Sequence, residues 1–253
     1  MRATTTVPTQ LRDLVGLSDS VELKAIVRGR DSRRTVQALG IDLDGAQHVE
    51  VYYLDTPGRD LQKAGTILRV RRNQGARADS VVKVRPAVPR DLSASMRRRK
   101  GFKVEVDVTP ADFVCSASFK ARPADAAVKR ALVGSVPVSQ VFTGRQRQFF
   151  AAYAPGGVAL DDLIILGPVT VLKTTPKPTG RAKAQLMPAA LIAQLWTYPT
   201  GHSALELSTR AAPADLAQAL ADWQIFLTRH QVRLRKRQRT KTETALDLLS
   251  ACP

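Results

Sequence analysis

The sequence predicts a single α+β domain, a barrel of about eight β-strands with helices packed around it. Three observations lead there. Segments with period-two alternation recur along the 253 residues, and in most of them one face is apolar and the other charged. About eight such segments can be counted, the number that closes into a small barrel. Between some of them lie stretches with helical spacing that start at Ser or Asp and stop at Gly.

The strands follow in order. SVELKAIV puts Ser20, Glu22 and Lys24 on one face and Val21, Leu23 and Ala25 on the other. VEVYYLDT is the second strand. GTILRVRR aligns Arg69 with Arg71, and SVVKVRP aligns Lys83 with Arg85. GFKVEVDV sets Lys103, Glu105 and Asp107 opposite Phe102, Val104, Val106 and Val108. TGRQRQFF reads as a strand carrying Arg145 and Arg147, and GVALDDLIILG as the next. ALELSTR aligns Glu206 with Ser208. Helices are expected in DSRRTVQALG, in PADAAVKRALVG, over 187–196, and in PADLAQALADWQIFLTRH, whose stripe is Leu216, Leu220, Trp223 and Leu227. The Pro- and Lys-rich TTPKPTGRAKAQ is a loop. A strand follows it, so it does not split the chain, and one domain over 1–253 is expected.

Composition narrows the function. Thirty-nine Lys and Arg against 22 Asp and Glu give a net charge of +17, which calls for an anionic partner. Two cysteines are too few for a disulfide framework or a thiolate metal site. No apolar run is long enough to span a membrane, and the N-terminus has no secretory h-region, so a cytoplasmic protein is expected. The basic runs SMRRRKGFK and RHQVRLRKRQRTK could touch nucleic-acid phosphates, but aromatics are only 5% of the chain, which gives base stacking little support. These runs read better as solvated loops and a helix end. There is no Gly-rich phosphate loop, no nucleophile elbow and no Cys/His cluster.

The charged faces carry the chemistry. Pure Arg/Lys pairs on neighbouring strands repel one another unless an anion lies between them. Arg and Lys grip phosphate oxygens. Glu22, Glu105, Asp107 and Glu206 suit a hard divalent cation. A barrel lined by both sets is a chamber for a metal–polyphosphate ligand.

In order along the chain, SVELKAIV, YYLDTPGRDLQKAGTILRVRR, VVKVRP, GFKVEVDV, GRQRQFF, ALDDLIILG, LELST and TKTETALDLL resemble the CYTH superfamily, the triphosphate tunnel metalloenzymes. The resemblance covers about residues 18–249, with an insertion at about 174–200 before the last acidic strand. It implies an eight-stranded antiparallel tunnel with flanking helices and a substrate that is a triphosphate, polyphosphate or nucleotide. It implies that Lys24, Arg69, Arg71, Lys83, Arg85, Lys103, Arg145, Arg147 and Lys241 meet phosphate. Glu22, Glu105, Asp107, Asp161 and Glu206 are the implied ligands of Mg²⁺ or Mn²⁺, and Glu22, Lys24 and Glu105 the implied catalytic groups. Two positions depart from the family pattern: Ser20 and Ser208 stand where it has acids. Fewer carboxylates mean weaker metal binding. One metal is therefore expected to work, and the alternative is a catalytically impaired module that binds polyphosphate or a nucleotide triphosphate.

Overall fold

The computed structural model of the protein describes residues 7–176, 187–188, 190–234 and 239–250. Nine strands are present among them: β1 (Ser20–Arg28), β2 (Gln47–Asp55), β3 (Thr66–Asn73), β4 (Ala76–Val84), β5 (Phe102–Val108), β6 (Phe113–Ala121), β7 (Ile164–Thr174), β8 (Ile192–Thr197) and β9 (Ser203–Ala211). They close into one barrel in the order β1-β5-β6-β4-β3-β2-β7-β8-β9. A closed ring of alternating strand directions needs an even number. Nine strands therefore force one parallel pair, and it is β1 with β5, which sets Ser20 beside Glu105 and Glu22 beside Asp107. The expectation of eight antiparallel strands is corrected on both counts.

Three segments account for the changed count. TGRQRQFF is not a strand but the start of a helix, Gly144–Tyr153. Thr143 accepts from the Gln146 amide, and the Gln146 side chain accepts from the Thr143 amide. That capping box outweighs two residues of apparent alternation. FVCSASFKA, unread as a strand because Ala and Ser favour neither state strongly, forms β6. The expected helix at 187–196 gives way to β8, which pairs with β7 and β9 on its two sides. Residues 177–186, most of the Pro- and Lys-rich stretch, lie outside the described residues.

The helices are α1 (Thr9–Gly16), α2 (Arg30–Leu39), α3 (Asp60–Lys63), α4 (Ala94–Arg97), α5 (Asp125–Leu132), α6 (Gly144–Tyr153), α7 (Leu216–Arg229) and α8 (Lys241–Ser250). The outward faces of β1 and β5, Val21, Leu23 and Ala25 with Val104 and Val106, are buried in one core with α1, α5, α6 and α7 residues. Each such aliphatic side chain contributes roughly 1.5–3 kcal/mol. With the apolar faces covered by helices, the charged faces can only turn inward.

The inner face is not polar all round. Ile26, Val49, Val51, Tyr53, Val171 and Trp196 form a second buried cluster, joined by Ala245, Leu246 and Leu249 of α8. The C-terminal helix thus packs into the barrel. The DTPGRD turn holds it there through Arg59, whose Nη1 lies 2.5 Å from Asp247 Oδ1. Asp55, at the head of that turn, accepts from the amides of Thr56, Leu61 and Gln62 and caps the turn into α3.

Candidate functional site

Strand alternation and register deliver the charged side chains to one place. Glu22 and Lys24 of β1, Arg69 and Arg71 of β3, Lys83 of β4, Lys103, Glu105 and Asp107 of β5, and Glu206 of β9 all line a cavity of about 570 Å³. Arg85 follows β4 and joins them. Its amide donates to Gly65 O at 2.8 Å, an approach that only glycine permits, since a Cβ on Gly65 would lie 2.3 Å from Arg85 O. Lys241 reaches the cavity from the first turn of α8.

Three expected residues are absent from this chamber. Arg145 and Arg147 are exposed on α6, outside the barrel, and Arg147 Nη1 donates to Phe142 O at 2.7 Å. The helix, not a strand, sets their direction. Asp161 is exposed in a 3₁₀ turn (Leu160–Asp162), where it accepts from the Ser139 amide at 2.9 Å. It has a turn's role and is not a lumen metal ligand.

Asp107 is the hub of the acidic wall. It is 2% exposed and receives Lys24 Nζ at 2.7 Å and the Arg85 guanidinium, with Lys83 Nζ at 3.6 Å. Lys24 also meets Glu22 Oε2 at 3.1 Å. Glu105 is held by Lys103 at 2.9 Å and Arg210 at 3.3 Å, and Ser20 donates to it at 3.3 Å. Glu206 pairs with Lys241 at 2.5 Å, and the Lys241 ammonium sits 4.8 Å above the centre of the Trp196 ring. Arg71 forms a two-pronged pair with Asp79 at 2.9 and 2.8 Å. Ser208 is fully buried, and its hydroxyl has no hydrogen-bond partner among the described residues.

Sequence reasoning missed Asp79, Lys120, Lys173 and Arg210. Lys120 sits on the unread β6, while Asp79 and Lys173 lie in strand extensions beyond the clearest alternation. Arg210 was findable: it continues the Glu206, Ser208 face by one step.

Among the described residues, ten Lys and Arg line the chamber against five Asp and Glu, an excess of five positive charges. The titration shifts follow from it. Burial, then the Arg71 charge, pushes the Arg69 guanidinium down, and Arg69 has no carboxylate within 4.0 Å among the described residues. Burial pushes Lys83 well below the usual ammonium range, helped by Arg85 and Lys24. Lys241 falls to about 8, again chiefly by burial. On the acidic side, burial opposes the Glu22 carboxylate, yet Lys24, Lys241 and Arg210 together outweigh it and hold its pKa at about 2. Cations short of counter-charge beside carboxylates oversupplied with it describe a wall built to receive an anion.

The donor set also bears on metal. Among the described residues, no three Asp, Glu, His or Cys side chains group closely enough to hold an ion by themselves. Glu22 and Asp107, paired across β1 and β5, do converge on one point, now taken by Lys24 Nζ. That pair fits one hard cation that draws its remaining oxygens from phosphate and water. Glu206, paired with Lys241, has no second carboxylate two residues on, where Ser208 stands. No described helix is long and apolar enough to cross a membrane.

Known proteins give the same architecture. A Bacillus halodurans structure assigned as an adenylate cyclase superposes with a TM-score of 0.60 at 14% identity, over 90% of this chain and 97% of its own. A Hippeastrum protein assigned as an adenylyl cyclase, and described with a dominant triphosphatase activity, gives 0.60 at 14% identity over 89% and 94%. None of the curated proteins matches in sequence. The CYTH domain matches residues 19–171, from the start of β1 through most of β7. That span exceeds half of the chain and holds both basic strands and the acidic β5, and with it the chain belongs to the CYTH domain family.

Proposed function

We propose that the chamber binds a triphosphate group and that one divalent metal assists hydrolysis of its terminal phosphoanhydride. The observation that carries the reading is the excess of five positive charges that the described residues place around the barrel's cavity. A triphosphate, with roughly −1.5 to −2 on each terminal phosphate near pH 7, supplies a charge of about that size. The triphosphatase activity described for the Hippeastrum structure supports the same class. A free, buried Cys115 suits a reducing cytoplasm.

The roles follow from position. Arg69, Lys83 and Arg85 bind phosphate oxygens from the basic wall. Glu22 and Asp107 would hold Mg²⁺ or Mn²⁺, whose chemistry when bound is to polarise the phosphoryl oxygen and acidify a water. Lys24, displaced from that pair, turns to the phosphate. Glu22, kept ionised by the surrounding cations, serves to hold and orient the metal. Glu105, also held low, anchors Lys103 and Arg210 at the chamber edge. Lys241, its pKa brought down to about 8 by burial, neutralises charge on the phosphate while protonated.

Phosphate release from tripolyphosphate, long-chain polyphosphate, ATP and thiamine triphosphate, with Mg²⁺ and with Mn²⁺, tests this. The protein should turn over at least one of them, and Asp107→Asn should lower kcat by 10²-fold or more, on the order of losing one preorganised electrostatic group. The second reading is a binding module, favoured by the buried serines at 20 and 208. Under it tripolyphosphate raises the melting temperature but no phosphate appears. Neither turnover nor stabilisation would sink both.

A further inference from the structure

Beside the chamber lies a second cavity of about 220 Å³. Arg71, Lys120, Lys173 and Gln194 line both cavities, so the two adjoin. The second opens at the barrel end where β2 and β4 begin and β3, β6 and β7 finish.

Its free groups are all cations. Arg77, Arg122 and Lys173 line it, and none has a carboxylate within 4.0 Å among the described residues. Every Asp and Glu of the chain is described, so no carboxylate side chain remains to be found. The lining's one acid, Asp79, is already shared by Arg71 at 2.8 Å and Lys120 at 3.4 Å. Burial, with the charges of Arg71 and Arg210, pushes the Lys173 ammonium down.

The neutral groups are engaged. The side-chain amides of Asn73, Gln47 and Gln194 donate to Arg77 O at 2.9 Å, Gln74 O at 3.3 Å and Glu206 Oε1 at 3.4 Å. Trp196 is 2% exposed, with Lys241 over its ring. Among the described lining residues no aromatic ring lies open for a nucleobase to stack on. A bare anionic chain would find three unmatched cations continuous with the chamber.

We propose that the two cavities form one track, and that Arg77, Arg122 and Lys173 hold phosphates beyond the third of a linear inorganic polyphosphate. This rests on the triphosphate reading of the chamber, and it names polyphosphate longer than three units as the preferred ligand. Arg77 and Arg122 lie outside the chamber lining, so they can be changed without touching it.

The test measures Kd for tripolyphosphate, for a linear polyphosphate several times longer and for a 5′-triphosphate RNA oligomer, on the full chain without metal. The proteins are the wild type, Arg77→Ser/Arg122→Ser, and the control Arg98→Ser/Arg99→Ser, which removes two exposed arginines elsewhere. The track predicts about a tenfold loss or more for the long chain in the first variant, as expected for charge-assisted phosphate contacts, with tripolyphosphate within about twofold. The control should change neither. An equal loss in the control would mean diffuse surface attraction and overturn the track. So would an unchanged long-chain Kd in the first variant, or a loss there confined to a 5′-triphosphate RNA oligomer. A wild type that does not bind tripolyphosphate at all would strike down the chamber reading instead, and the track with it. Melting curves of each protein without ligand confirm that the exposed substitutions leave the fold intact.

Discussion

Arg69 and Lys241 are both buried cations in the chamber, but they answer burial differently. Arg cannot shed its proton in any accessible pH range, so Arg69 stays charged without a counter-ion. Lys241 can, and burial has brought its pKa to about 8 although Glu206 resists. Its ammonium is charged below that value and neutral above it. An anion binds the charged form, so affinity is full below about 8 and declines as pH rises through it. The bound anion pulls the pKa back up, which spreads the loss over the region above 8. The Lys241 contribution to tripolyphosphate affinity, read as the ratio of wild-type to Lys241→Arg Kd, should therefore be nearly constant from pH 6.5 to 7.5 and shift by about tenfold towards pH 9.5, the size of one charged contact. In that ratio the titrations of the ligand's terminal phosphates and of Lys83 and Lys173, which burial also pushes down, cancel. A ratio that stays constant to pH 9.5 would remove Lys241 from the phosphate site.

At the scale of elements, what could be read depended on how far a pattern ran. GFKVEVDV alternates over seven residues with an unmixed apolar face, and it became β5 with every side expected. ARADSVVKV shows its alternation only from Val82 onward, so Asp79 went unread as the partner of Arg71. The short IAQLWT favours helix by composition and became a strand because β7 and β9 each offered it an edge. RQRQ misled for the opposite reason: it looks like a strand face but begins two residues after a Thr whose side chain caps a helix. That correction has a measurable consequence. Thr143→Ala should cost roughly 1 kcal/mol of stability through lost capping. Arg145→Ala/Arg147→Ala should leave tripolyphosphate Kd within about twofold, since surface charges away from a site contribute little. A tenfold weakening in the double variant would return these arginines to the binding wall and contradict the helix.

For the whole molecule, a net charge of +17 indicated an anionic partner without saying where it binds. Closure of the barrel supplies the place, and nothing in the local pattern could have supplied the parallel β1–β5 pair, which follows only from nine strands meeting in a ring. That pair brings Glu22 beside Asp107 and so decides where a cation could sit. The arrangement carries a cost: among the described residues ten cations face one cavity with five carboxylates, and their mutual repulsion opposes folding. Two kinds of salt should then act differently. Sodium chloride screens the repulsion and should raise the melting temperature of the ligand-free protein slightly and gradually. Tripolyphosphate should act by mass action, stabilising by about 2.7 kcal/mol at 100 times its Kd, or roughly 5–10 °C for a chain of this size. Because binding competes with screening, that increment should shrink as chloride rises, while the ligand-free melting temperature climbs. The two trends are separable in one grid of melting curves. Chloride matching tripolyphosphate at equal ionic strength would mean that the charge excess is relieved by any salt, and that the chamber has no particular affinity for a phosphate chain.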